Sequence, residues 1–406
     1  MAAPARAFPT VFKLGSAQTL AWASSYYLPA MLAAPMARDL GLATPTVFAA
    51  FSLALLVSAA LGPFAGRAID RWGGRPVLVA SNIVFALGLA GLGLAPDPVA
   101  MFAAWVLIGV GMATGLYEAA FAALVRLHGH DSRNLITGIT LFAGFASTVG
   151  WPLTTLLEAE VGWRGACFAW AGLHLLLGMP LNLALPRAGP PPPPPVSAGG
   201  ADAAAEAPAR AGRRRAALIL AFVFAVTWFV STAMAAHLPR LLQAFGATLT
   251  AAVAIGALVG PAQVGGRLLE FGVLRHVHPL LSARLAALMH PVGAVLLALL
   301  GAPLAALFAI LHGAGNGILT IAKGTLPLVL FGAHGYGLRQ GLLMVPARVA
   351  QASAPWLFGI LLDRFGAGAL WFSTALGMAA FLALLLLPRP VDEPVPVAST
   401  APAGAP

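Results

Sequence analysis

Charge is what this chain has least of. Only 9% of its 406 residues are Asp, Glu, Lys or Arg, and just 13 are acidic, whereas a soluble domain carries about 25% charged residues. With 60% hydrophobic residues and a mean hydropathy of +0.88, most of the chain must face lipid. Cysteine is scarcer still. The single Cys167 excludes an internal disulfide framework and a multi-cysteine metal site, and reads as small packing. Also missing are a Ser/His/Asp constellation, metal-ligand spacing and a Gly-x-x-x-x-Gly-Lys-Ser phosphate loop. Those absences argue against an enzyme, a bound cofactor or metal, and pumping driven by ATP. Met1 to Pro9 has one arginine and no separate short apolar core with a cleavage site, so the first apolar segment reads as an uncleaved span.

What is present is a succession of apolar stretches. Twelve of them, running from 12–36 to 367–387, each supply the roughly 20 residues a spanning helix needs. Six precede and six follow a break at 186–215, where the polyproline run Pro190 to Pro195, an Ala/Gly-rich stretch and Arg213-Arg214-Arg215 read as a disordered linker. The expected organisation is an all-α membrane protein: a six-helix bundle over 1–185, the linker 186–215, a second six-helix bundle over 216–390, and a disordered tail over 391–406. Net charge is +10. In a soluble protein that would suggest nucleic acid, but here the cations segregate. Arg67, Arg71, Arg75, Arg126, Arg133, the arginine cluster, Arg267, Arg275, Arg284 and Arg339 fall on one side, while Arg38, Arg164, Arg240 and Arg364 fall on the other. By the positive-inside rule the linker and both termini are expected in the cytoplasm.

The halves repeat. Gly66-Arg67-Ala68-Ile69-Asp70-Arg71-Trp72-Gly73-Gly74-Arg75 has a degenerate echo in Gly266-Arg267-Leu268-Leu269-Glu270. Gly138 and Pro152 match Gly341 and Pro355, and Leu28-Pro29 matches Leu238-Pro239. Two parallel repeats around a midplane cavity are the simplest reading, and duplication in a membrane chain points to transport.

The Gly66 to Arg75 loop resembles the helix 2/3 loop of the major facilitator superfamily, Gly-x-Leu-Ala-Asp-Arg-x-Gly-Arg-Lys. Gly66, Asp70, Arg71, Gly73 and Arg75 fall on the pattern; Ala68 replaces the usual leucine and Gly74 one basic residue. The resemblance implies a secondary transporter working by alternating access, with Asp70 holding the loop against the start of helix 11 when the cytoplasmic side is closed. Arg71 and Arg75 would complete that contact, with Gly266, Arg267 and Glu270 as its counterpart. The alternative is that the arginines merely enforce topology, which is the better reading of Arg67. Trp105 to Gly109 lacks the helix-4 arginine of many relatives, and Gly150-Trp151-Pro152 departs from the Gly-Pro pair of drug antiporters.

Ionisable residues within spans are costly enough to be candidates for function. Glu118 on helix 4 and Lys323 on helix 10 occupy nearly equivalent repeat positions. A salt bridge between them is the first expectation, either coupling transport to protons or purely structural; Lys323 snorkelling to the membrane surface is a further possibility. Arg348, deep in helix 11 with Gln351 one turn on, suits a carboxylate or phosphate, unless Glu118 is its permanent partner. Tyr26, Tyr27 and Asn316 are further substrate-contact candidates, and His237 and His312 further proton carriers beside Glu118. His174 and His290 read as interhelical hydrogen-bond donors. The reading carried forward is proton-coupled transport, as symport, of a small organic anion such as a monocarboxylate; the alternative is proton-coupled efflux of amphipathic or cationic compounds. The expected partners are the substrate, protons and lipid, with no nucleic acid, and the expected setting is a monomer in a bacterial inner membrane.

Overall fold

The computed structural model describes residues 3–189 and 203–387, with side chains described over 8–189 and 210–387. Eight helical stretches among them are long and apolar enough to cross a membrane. Two of these contain several crossings. Pro98–Leu183 has 86 residues, which as one helix would run roughly 130 Å at 1.5 Å per residue, against a hydrocarbon core of about 30 Å. It folds back at Gly129 (φ +57°) and Gly162 (φ +72°), left-handed backbone that glycine adopts without a Cβ penalty. Tyr336–Leu385, 50 residues long, reverses in the same way at Gly366 (φ +52°).

The remaining crossing is the first. Ala3–Ser24 continues as Leu28–Asp39 after a break at the two tyrosines, and it packs along the second, fifth and sixth spans. The described residues therefore form twelve spans: this one, then Thr44–Trp72, Gly74–Leu94, Pro98–Gly115 with Tyr117–His128, Ser132–Ala143 with the front of Ala146–Leu173, and the rest of that helix to Leu183. The second half has Ala203–Ala244, Leu249–Gly256 with Val259–Gly272, Pro279–Leu300, Ala305–Phe331, Tyr336–Phe365 and Ala369–Leu385.

One boundary differs from the sequence reading. The seventh span begins at Ala203, so Arg213, Arg214 and Arg215 ride on a helix rather than in the linker. Its opening residues, AAAEAPARAG, are mostly alanine, the strongest helix former. The polyproline run and the 391–406 tail lie outside the described residues.

Each half is stapled internally by a buried histidine. His174 in the sixth span bonds Ser24 Oγ in the first (2.8 Å) and Asn82 Oδ1 in the third (3.0 Å), at a π-helical turn over His174–Gly178. His290 in the ninth bonds Ser373 Oγ in the twelfth (3.2 Å) and His312 Nδ1 in the tenth (3.0 Å). Surface cations close helix ends: Lys13 donates to Ala184 O at 2.9 Å, and Arg284 donates to the Leu384 and Leu387 carbonyls at 3.0 and 3.1 Å. Replacing His174 by Phe keeps the stack on Phe85 but strands Asn82 Oδ1. Interhelical hydrogen bonds within membranes contribute about 1 kcal/mol each, so the variant is expected to lose a few degrees of apparent Tm in a detergent thermostability assay while transport rate stays unchanged.

Candidate substrate site and seam latch

The two halves meet most closely at the end that carries the Gly66 to Arg75 loop. The first backbone N–H groups of a helix have no intrahelical acceptor and carry partial positive charge. Asp70 supplies both acceptors: its Oδ1 takes the Gly337 N–H at 2.9 Å and its Oδ2 the Leu338 N–H at 2.8 Å, at the start of the eleventh span. Glycine makes the approach possible. A Cβ on Gly66 would fall on the Gly337 carbonyl, and one on Gly341 would lie 2.6 Å from the Gly62 carbonyl oxygen. Arg126 reinforces the loop by donating to Asp70 O (3.2 Å) and Gly189 O (2.6 Å).

A second seam contact joins the fifth and eighth spans. Arg267 Nη1 donates to Thr140 O at 2.8 Å, and Arg133 Nη2 lies 3.6 Å from Glu270 Oε1. Glu270 and Arg267 are both buried. The other loop residues do different work. Arg71 lies over its neighbour Trp72 (5.7 Å) rather than bridging the seam, Arg75 is half-buried at the start of the third span, and Gly73 makes the turn with φ +83°. Gly266 presses on Ala314 of the tenth span, inside its own half, so its glycine serves packing rather than closure. At the opposite end the ion pairs stay within halves: Asp39 with Arg164 at 2.9 Å, and Arg240 with Asp363.

Midway along the seam lie the buried charges. The fourth span breaks at Leu116, whose backbone is extended (φ −86°, ψ −166°), and restarts at Tyr117. Gln18 Nε2 takes up the Gly115 carbonyl at the break (2.6 Å). Glu118 therefore sits in the first turn of a new helix, where the helix dipole favours a carboxylate. It does not reach for Lys323. Both its oxygens bind Arg348 Nη2, at 3.0 and 2.8 Å, and Arg348 Nη1 donates to Gln351 Oε1 at 2.9 Å. This corrects the expected Glu118–Lys323 bridge. Arg348 is the better partner because its planar fork serves Glu118 and Gln351 at once, and the resulting tie joins the first half to the second.

Lys323 is left over. It is 4% exposed, no described residue accepts a hydrogen bond from its Nζ, and that atom lies 4.2 Å from the centre of the Trp228 ring. Its backbone is fully employed: Pro327 has no N–H for the Lys323 carbonyl, and Gln340 Nε2 takes its place at 3.0 Å. The Arg348 guanidinium carbon also faces Trp228, at 5.3 Å. Formally, two cations meet one carboxylate, so the site carries one positive charge over. Around it stand rings from both halves, with Trp22 parallel to Trp228 (centroids 6.3 Å, 7°) and Tyr26 5.3 Å from Trp22. Tyr27 lies at the edge of this cluster, 5.3 Å from Tyr26 and 6.4 Å from Trp22, and edge-on to Trp151 at 5.9 Å.

The remaining candidates lie elsewhere. His312 and Asn316 line a cavity of about 30 Å³ inside the second half, with His290 and Thr227, away from the Glu118–Arg348 tie. His237 bonds the Pro355 carbonyl at 2.7 Å. Trp22, Trp228, Gln18, Gln340 and the seam arginines Arg126 and Arg133 were not singled out from sequence. For the two tryptophans a signal existed, since each sits on the first helix of its half.

The sequence profile of the Major Facilitator Superfamily matches residues 14–334. The chain belongs to that superfamily. Its members are membrane transporters, not enzymes, and this chain is a secondary transporter of that class. Human monocarboxylate transporter 11 is 30% identical over 376 residues, 84% of this chain and 69% of that protein. Among solved structures, the human organic anion transporter MFSD10 (TETRAN) superposes with a TM-score of 0.68 at 18% identity, covering 94% of this chain and 99% of that one. The proton:xylose symporter XylE, bound to 6-bromo-6-deoxy-D-glucose, gives 0.72 at 15%, covering 94% and 96%. At these identities the two structures establish the fold alone.

Two substitutions test the latch. Asp70→Asn removes the charge from the helix cap and is expected to cost the closed seam about 1–2 kcal/mol, roughly a fivefold to thirtyfold shift in population. Gly66→Ala forces the two backbones apart outright. Cys167 is buried, so single cysteines introduced along the seam report cleanly. Both variants should label faster at the Asp70 end, and unchanged labelling in both would remove the latch role.

Proposed function

We propose that this transporter carries a small organic anion, of the monocarboxylate class, together with a proton. The observation that carries the reading is the Lys323 ammonium, buried against Trp228 with no acceptor among the described residues. A buried charge without a partner is expensive, and an anion entering the site would supply the missing negative charge. The names of two similar proteins, a monocarboxylate transporter and an organic anion transporter, agree with that chemistry. Glu118 already serves Arg348, which leaves no spare carboxylate for an organic cation and weighs against the efflux reading.

The proton belongs to the same tie. Glu118 on the first half and Arg348 on the second are held by charge-assisted bonds, and protonating Glu118 removes the charge that holds the guanidinium across the seam. A proton arriving with the anion would then loosen the halves at the moment the site is filled, which is symport by alternating access. Arg348 and Gln351 would face the anion once Glu118 lets go. With the arginine-rich side in the cytoplasm, the latch would close the cytoplasmic end. A bacterial inner membrane and a monomeric unit complete the proposal.

Proteoliposome uptake of radiolabelled monocarboxylates and organic cations, with and without an inward proton gradient, tests it. Monocarboxylate uptake should rise with the gradient and fall at least tenfold in Lys323→Gln at unchanged monodispersity. Glu118→Gln should abolish accumulation driven by the gradient while anion exchange persists. Uptake restricted to cations would overturn the assignment.

A further inference from the structure

Lys323 and Arg348 come from the tenth and eleventh spans and both lie against Trp228 of the seventh, and the first, second and fourth spans contribute further rings: Trp22, Tyr26, Phe51 and Tyr117. Tyr117 lies 4.8 Å from Trp22, and Tyr26 lies 5.6 Å from Phe51 and 6.4 Å from Trp228. A ring cluster can be nothing more than core, but two features separate this one from ordinary packing. Trp22 and Trp228 face each other almost in parallel across the seam between the halves, the surface that parts as the transporter cycles. The second feature is the pair of cations, Lys323 and Arg348, that lie against the Trp228 face. Beside the rings, Lys323 Nζ and Gln351 Nε2 are buried donors with no acceptor among the described residues. The site asks for a ligand with acceptors at one end and a flat face at the other.

We infer that the anion this site takes is an aromatic monocarboxylate. The inference rests on the organic-anion reading above and narrows it. While the Glu118–Arg348 tie holds, one carboxylate matches the single positive charge left over, and a second would have to displace Glu118 from Arg348. The carboxylate would lie against Lys323, and a flat ring would lie among Trp22, Trp228 and Tyr26, where stacked and edge-on contacts add attraction beyond the area buried. Groups of compatible shape without π-faces would receive the charge contact but not the ring contact.

Calorimetric titration of the purified full chain in lipid nanodiscs separates these possibilities, using benzoate, cyclohexanecarboxylate, acetate, terephthalate and benzylamine. Benzoate and cyclohexanecarboxylate share charge and approximate size and differ in the ring. Benzoate is expected to bind at least fivefold tighter than cyclohexanecarboxylate, and tighter than acetate or terephthalate. The benzoate to cyclohexanecarboxylate ratio should collapse toward one in Trp228→Leu and return in Trp228→Phe; Trp22→Leu serves as the second variant if Trp228→Leu does not yield folded protein. A ratio below fivefold, a ratio indifferent to both tryptophans, or terephthalate binding as tightly as benzoate overturns the inference while the anion reading stands. Binding of benzylamine with no carboxylate bound, or no binding across the panel, removes both.

Discussion

A charge inside a low-dielectric slab needs a counter-charge within a few ångströms, and the centre of this protein is arranged around that requirement. Two unit charges 4 Å apart attract by about 4 kcal/mol at an effective dielectric near 20, and by about 1 kcal/mol in water. Glu118 and Arg348 meet the requirement for each other. Because one belongs to the first half and the other to the second, neutralising a charge and joining the halves become the same interaction. Lys323, with no carboxylate within its reach left unclaimed, is the point at which the protein leaves the requirement for something else to satisfy.

The seam latch depends on backbone rather than on side chains. Carboxylate to helix-start bonds are common at the surfaces of soluble proteins, and what sets this one apart is the glycine contact beneath it. Gly62 and Gly66 bring the second span against Gly337 and Gly341 of the eleventh with no Cβ between them, and only at that separation does Asp70 reach the Gly337 and Leu338 N–H groups. The latch is therefore steep: a small parting of the two helices removes both hydrogen bonds together. The eleventh span also carries Arg348, so the helix that is capped at its start by the first half is tied to the first half again at its middle.

The fold was legible in the sequence because it is written in local, repeated patterns, and the Asp70 contact with the eleventh span through the resemblance of its loop to the superfamily's. Apolar run length marks a span, and Gly66, Asp70 and Gly73 mark a loop whose geometry the glycines dictate. The site was less legible. Glu118, Lys323 and Arg348 stood out as charges in apolar runs, but which cation Glu118 chooses depends on helix rotation across the seam, which spacing along one chain does not encode. The break at Leu116 that turns Glu118 into a first-turn residue has no proline to announce it, and the Gln18 and Gln340 donors act only because a broken fourth span and Pro327 free carbonyls on distant helices. His312 and Asn316 share a helix face as the spacing requires, yet that face turns into the second half rather than toward the seam.

Leaving Lys323 unmatched has a consequence that a fully paired site would not have. Had Glu118 bridged Lys323 and Arg348 together, an entering anion would have had to displace an internal carboxylate before gaining either cation, and the two terms would largely cancel. With Glu118 committed to Arg348, the anion proposed above would meet a cation already stripped of water and lying against Trp228, so little of the attraction would be spent on reorganisation. The same commitment keeps the tie across the seam intact until Glu118 itself is neutralised. In the proposed cycle, separating the cation that attracts the anion from the pair that holds the halves together would let a proton and an anion act on different bonds of one site.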